Sequence, residues 1–218
     1  MGIGHIVKSY DNDLDNLKKL IVDMMETNLK QLNLLYTLLS AFSSHTQEEV
    51  INLDTAINGL DAKIIEEAIK IFSLRNPVAY DLRFVFASSH VSKNLERVGD
   101  YTKASARYAA NVSFPDNIKS KYLEILHILI EMLHSTINAF VNMDVDLAKK
   151  VIKTDDKVDF LYNELSILLL QKIQVVPEKI DEIRAYILIV RNFERIGDHI
   201  ATCCQYVNFI ENNIMIYN

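Results

Sequence analysis

A seven-residue phrase occurs twice in this chain. Residues 94–100 read Asn-Leu-Glu-Arg-Val-Gly-Asp and residues 192–198 read Asn-Phe-Glu-Arg-Ile-Gly-Asp, so the copies lie 98 residues apart and differ only by Leu for Phe and Val for Ile. A recurrence at one offset predicts a fold made of two related halves, and Tyr108 and Tyr206 extend it beyond the motif. Each copy sets a Glu and an Asp four residues apart, with a Gly between them, inside a stretch of helical periodicity. Both features weaken a helix. Like charges at i, i+4 repel by roughly 0.2–0.5 kcal/mol, and an interior Gly costs about 0.8–1.0 kcal/mol relative to Ala. Their repetition at equivalent points marks the acids as residues that hold something.

The helical periodicity runs nearly end to end. Five Gly and three Pro among 218 residues fall far below the roughly 12 % of average usage, which predicts long uninterrupted helices. A hydrophobic share of 50 % supplies a packed core and argues against disorder. Helices are expected at about residues 6–42, 46–74, 78–111, a fourth through Ile118 and Met143, and at about 145–173 and 178–212, with Pro77 and Pro177 near starts and Asp144 as an N-cap. The fourth carries Ile118, Tyr122, Ile125, Leu129, Met132, Thr136, Ala139 and Met143 on one seam. The sixth carries Tyr186, Ile189, Phe193, Ile196, Ile200, Cys203, Val207 and Ile210. Spacings of three and four held that long are the pattern of helices packed at shallow angles. The expected fold is all-α: two pseudo-repeated antiparallel three-helix bundles, residues 1–112 and 116–218, divided at Ser113-Phe114-Pro115-Asp116.

A net charge of −6 with no basic cluster argues against nucleic acid as a partner, because phosphate binding needs clustered Lys and Arg. The N-terminus shows no basic start followed by an apolar core, so no signal peptide is expected. The longest apolar run, Ala185 to Val190, is far short of the ~20 residues that span a bilayer. Cys203 and Cys204 are adjacent on a helix, where a disulfide between them would be strained. They read as two small packing residues, and they suit a reducing, cytoplasmic setting.

Glu96 and Asp100 fall beside the seam positions Leu95 and Val98, and Glu194 and Asp198 fall likewise beside Phe193 and Ile196. The second helix of each half carries a matching set: Asp54, Asn58 and Asp61 in the first, Asp155, Asp156 and Asp159 in the second. If the second and third helices of a bundle are antiparallel neighbours, these acids face the Glu/Asp pairs. Four or more clustered carboxylates need a cation or raised pKa values. All-oxygen donors suit Mg²⁺, Mn²⁺, Ca²⁺ and, with carboxylate bridging, iron, and zinc also accepts carboxylates. The first site is the weaker one, because Asn58 stands where the other has Asp159.

Three other readings compete. The acids could pair with Arg97 and Arg195 on a solvated face, or meet basic residues of a partner protein in a metal-independent adaptor. An oxygen-activating di-iron enzyme would use Glu-x-x-His pairs, and none occurs here. His199 follows Asp198 directly and points about 100° away from it around the helix, and His90 lies six residues before Glu96. No Gly-rich phosphate loop, Gly-x-Ser-x-Gly elbow or usefully spaced Cys and His is present in the sequence. The chain is therefore not expected to be an enzyme.

The residues resemble the PhoU family of phosphate-signalling regulators. The matching stretches are Pro77-Val-Ala-Tyr-Asp-Leu-Arg83, Glu96-Arg-Val-Gly-Asp100, Met132-Leu, Ala139-Phe, Met143-Asp, Asp155-Asp-Lys-Val-Asp159 and Glu194-Arg-Ile-Gly-Asp198. The resemblance implies two three-helix bundles in a cytoplasmic, homodimeric negative regulator of phosphate uptake and starvation signalling. Its implied partners are the ATPase subunit of the phosphate ABC transporter and a phosphate-sensing histidine kinase, so that it meets the membrane only through them. It also implies bound Fe, Zn, Mg or Mn ions on (Glu/Asp)-x-x-x-Asp motifs. By position these are Glu96 with Asp100, Glu194 with Asp198, Asp155 with Asp159 and Asp54 with Asn58, with Asp81 a further candidate near the first site. The second half has no clear Asp-Leu-Arg, only Asp181 and Arg184 after Pro177.

Overall fold

The computed structural model describes residues 3–110 and 112–215. Six helices follow one another: α1 (Ile3–Ser40), α2 (Ser44–Arg75), α3 (Ala79–Ala109), α4 (Asp116–Asn142), α5 (Val145–Val175) and α6 (Ile180–Asn212). No strand occurs among the described residues. Residues 1–2, 111 and 216–218, which fall at the ends and the junction of the two expected halves, lie outside the described residues.

The boundaries follow local chemistry. Ser43 accepts a hydrogen bond from the Thr46 N–H at the start of α2, and Asp144 caps α5 by accepting from the Leu147 N–H at 2.9 Å. Asn76 and Asn213 end α2 and α6 in the left-handed region, a conformation Asn tolerates better than most residues. Pro77 lies two residues outside α3 rather than in its first turn, with Val78 extended between them. Pro177 opens a separate 3-10 turn, Pro177–Lys179, before α6 begins.

The expected seams form the core. On α4 every seam residue from Ile118 to Ala139 is buried, and on α6 every one from Tyr186 to Ile210. Met143 is half-buried at the end of α4. α4 is long and apolar enough to cross a membrane by length and composition, with mean hydropathy 1.2 over its best window, which no continuous run of its residues reveals. Here its stripe packs against α5, α6 and α1. Cys203 and Cys204 are buried and free.

α1–α3 form one three-helix group and α4–α6 the other, yet the most extensive helix–helix contact in the molecule is α3 against α6. The apolar core is therefore continuous across both groups. Asn192 Nδ2 donates to Ser105 Oγ at 3.2 Å, His199 Nδ1 meets Asn94 Oδ1 at 2.8 Å, and the Cys203 thiol points to the Val91 carbonyl. Later residues of α6 thus meet earlier residues of α3. The two helices run antiparallel, and the two copies of the motif lie level at the middle of the crossing.

Phe193 is fully buried on α6 and meets the Tyr122 ring edge-on at 5.6 Å. Phe193→Ala should cost about 3–5 kcal/mol, read as a lowered midpoint in urea unfolding.

Candidate metal centre

The repeated acids occupy the flank of the seam that their position predicts. Glu96, Asp100, Glu194 and Asp198 are half-buried, while Arg97 and Arg195 are exposed. α2 lies against α3, and α5 against α6, so each pair has an acidic helix beside it.

In the second half the neighbour reaches all the way in. Asp155 of α5 is only 4 % exposed, and its Oδ1 rests on the backbone of α6 at Gly197. A Cβ there would collide with that oxygen and touch Val158 at 3.4 Å. The Gly of the motif makes room for this carboxylate. Asp155 Oδ1 is buried without a hydrogen-bond partner among the described residues, an expensive state for a charged oxygen. Burial first, then the charges of Asp159, Asp198, Glu194 and Asp156, push its pKa up to about 7. Burial and Asp198 also raise Asp159. Burial and Asp198 raise Glu194, with Arg195 pulling the other way.

Arg195 supplies cationic cover at this site. Its Nε lies 3.2 Å from Glu194 Oε2 and its Nη1 3.1 Å from Asp198 Oδ2. The pairing of acids with arginine weighed from the sequence is therefore present. It leaves Asp155 uncovered.

The first half is built otherwise. Asp54 of α2 is buried at 6 % exposure, but the Lys103 ammonium reaches it from α3. Lys103 Nζ donates to Asp54 Oδ2 at 2.7 Å and to Asp100 Oδ1 at 2.9 Å. Burial works against this ammonium, but the hydrogen bonds to Asp54 and Asp100 outweigh it and raise its pKa. Lys93 stands 2.9 Å from Glu96, and Arg97 3.7 Å from both Glu96 and Asp100. Asn58 turns its amide N–H₂ on Asp54 Oδ2 at 3.3 Å, so here it donates where a metal ligand would accept. The nearest side chain to a Cβ at Gly99 is Ile57, at 2.9 Å. Lys103 escaped the reading of the sequence because a Lys three residues after an Asp is an ordinary helix pair. The 98-residue offset could have found it, since the matching position is Ala201.

Three expectations change. Asp81 sits at the start of α3, 15 residues before Glu96 and so roughly 22 Å away along the helix. It accepts a hydrogen bond from the Tyr10 hydroxyl at 2.9 Å and is not part of the first cluster. Asp61 accepts from Ser92 Oγ at 2.6 Å, which occupies it within the α2–α3 contact. Among the described residues, no three His, Cys, Asp or Glu side chains converge in a metal-holding arrangement as they stand. A cation at the second site would therefore have to draw its carboxylates inward. The two histidines nearest the motif copies point elsewhere: His199 stacks on Tyr101 and meets Asn94, and His90 stacks on Tyr206.

The chain matches the PhoU domain family over residues 21–109 and 122–207. It is 33 % identical over 214 residues to the phosphate-specific transport system accessory protein PhoU homolog of Zymomonas mobilis, covering 95 % of this chain and 88 % of that one. The crystal structure of PhoU from Pseudomonas aeruginosa superposes with a TM-score of 0.89 at 27 % identity, covering 94 % of this chain and all of that one. The phosphate transport system regulatory protein PhoU from Streptococcus pneumoniae shares the fold, with a TM-score of 0.88 at 22 % identity over 96 % of this chain and all of that one.

The electrostatics of Asp155 fix a pH dependence for the metal-free protein. Between the ordinary carboxyl value of 3.8 and about 7, the folded chain holds a proton that the unfolded chain has released. Stability therefore falls as pH rises through that window and levels off above it. The displacement corresponds to on the order of 4 kcal/mol. Melting in EDTA should occur at a higher temperature at pH 5 than at pH 8. Asp155→Asn should raise the pH 8 value and remove most of the difference.

Proposed function

This chain belongs to the PhoU family, and from that premise we propose that it serves as an accessory protein of the phosphate-specific transport system. In this reading it is a non-enzymatic regulator that restrains phosphate uptake and starvation signalling. It works at the cytoplasmic face as a homodimer, contacting the transporter's ATPase subunit and a phosphate-sensing histidine kinase. The names and full-length coverage of the relatives support the transport role. The acidic surface chemistry is consistent with recognition of partners rather than turnover.

The observation that carries the metal part of the proposal is the buried, unpartnered Asp155 carboxylate facing Glu194 and Asp198, with Asp159 one turn further along α5. That donor set is all oxygen and carries more negative charge than Arg195 offsets, which fits a hard cation such as Mg²⁺ or Mn²⁺, or carboxylate-bridged iron. Zinc, which favours Cys and His company, fits less well. A bound ion would place positive charge at the α5–α6 seam. Asp155, Asp159, Glu194 and Asp198 hold that position, and Gly197 keeps it open. The first cluster does not fit a metal as it stands, because Lys103 lies between its acids.

The arginine cover favours a second reading, an adaptor whose acids pair with basic residues of a partner. The two readings separate cleanly. Elemental analysis of the purified protein should find metal, and Glu194→Ala/Asp198→Ala should lose it; equal content in both would sink the site. In the adaptor reading, Asp198→Ala weakens binding to the transporter ATPase equally with and without EDTA.

A further inference from the structure

We propose that Lys103 is a built-in cation of the first acidic cluster, its ammonium taking the place between α2 and α3 that the second cluster leaves for a metal ion. The chain would then carry two pseudo-equivalent acidic sites, one permanently closed by its own side chain and one open. This rests on the metal reading of the second site.

The charge balance separates the two clusters. In the first, Glu96, Asp54 and Asp100 face Lys93, Arg97 and Lys103, each acid within 4 Å of a cation. In the second, Glu194, Asp198, Asp155 and Asp159 have only Arg195 in ion-pair contact among the described residues. The bridging cation itself lies at one position of the repeat. Lys103 and Ala201 share the 98-residue offset, and Ala201 is a buried methyl group that reaches no acid.

The Lys103 contact is unlike an ordinary surface salt bridge. Its side chain is 20 % exposed and that of Asp54 only 8 %, so the pair is largely withdrawn from water and bridges two helices. A single ammonium that meets one carboxylate from α2 and one from α3 at 2.7 and 2.9 Å does what a bridging divalent ion would do with the same oxygens. It does so without dependence on metal supply. Asn58 reinforces the closure, since its N–H₂ group adds a second donor to Asp54 Oδ2. Ile57 fills the space over Gly99, where the second half has the Asp155 carboxylate over Gly197. Asp54 Oδ1 and Glu96 Oε2 remain without hydrogen-bond partners among the described residues at the first site, but each of these carboxylates has an ammonium close by, at 2.7 and 2.9 Å respectively.

Equilibrium dialysis against Mn²⁺ tests this. Wild type should take up Mn²⁺, and Asp155→Asn/Asp198→Asn should take up none. Adding Lys103→Met to that variant should create a new Mn²⁺ site, which a further Asp54→Asn removes. Uptake by Asp155→Asn/Asp198→Asn with Lys103 intact, or no uptake once Lys103 is replaced, would overturn the assignment. A wild type that takes up no Mn²⁺ would instead sink the metal reading, and a measurement in EDTA then judges Lys103 alone. Lys103→Met should lower the melting temperature by leaving Asp54 and Asp100 uncompensated, and Lys103→Met/Asp54→Asn should recover much of the loss. No loss, or no recovery, would contradict the role of the ammonium.

Discussion

The Asp155 carboxylate, pressed onto the backbone of α6 at Gly197, sets the terms for much of this molecule. A charged oxygen withdrawn from water must find a proton, a cation or several hydrogen bonds, and Asp155 Oδ1 has none of the last. The Gly of the motif exists to admit it, because a Cβ at that point would occupy the same space. Glu194 and Asp198 flank it from α6, and Asp159 follows one turn along α5. The helix penalties of the second copy are thus tied to one contact between two helices, while Gly99 of the first copy admits Ile57.

The α3–α6 crossing gives that contact its setting. Because the two helices pack antiparallel through their middles, both copies of the motif are held at the same level of a continuous core. His199, Asn94, Tyr101, Asn192 and Ser105 tie the crossing together with rings and hydrogen bonds. Each acidic cluster is therefore built on rigid elements and backed by apolar packing. The first is covered by Lys93, Arg97 and Lys103, and the second by Arg195 among the described residues.

The fold was legible because its signals are long. Six helices follow from scarce breakers and from seams that hold spacings of three and four over twenty residues or more. The pairing of α5 with α6 was the condition for the acids to meet, and the structure supplies it. Short-range chemistry was harder to read. Asp81 matched a family motif, yet distance along α3 separates it from Glu96. Asp61 had the right type and face, but Ser92 takes it. Lys103 was invisible because its meaning depends on Asp54, 49 residues earlier, and no local pattern encodes that contact. Ala201 carries the same information by contrast, once the repeat is used as a ruler.

In the proposed scheme the pseudo-equivalent clusters part company over a cation, supplied by Lys103 in one and by solution in the other. Anomalous diffraction from crystals grown with Mn²⁺ tests it most directly. A peak among Asp155, Glu194 and Asp198, with continuous density for the Lys103 ammonium between Asp54 and Asp100, is the expected result. A peak between Asp54 and Asp100 with Lys103 displaced, or none beside Asp155, would contradict it.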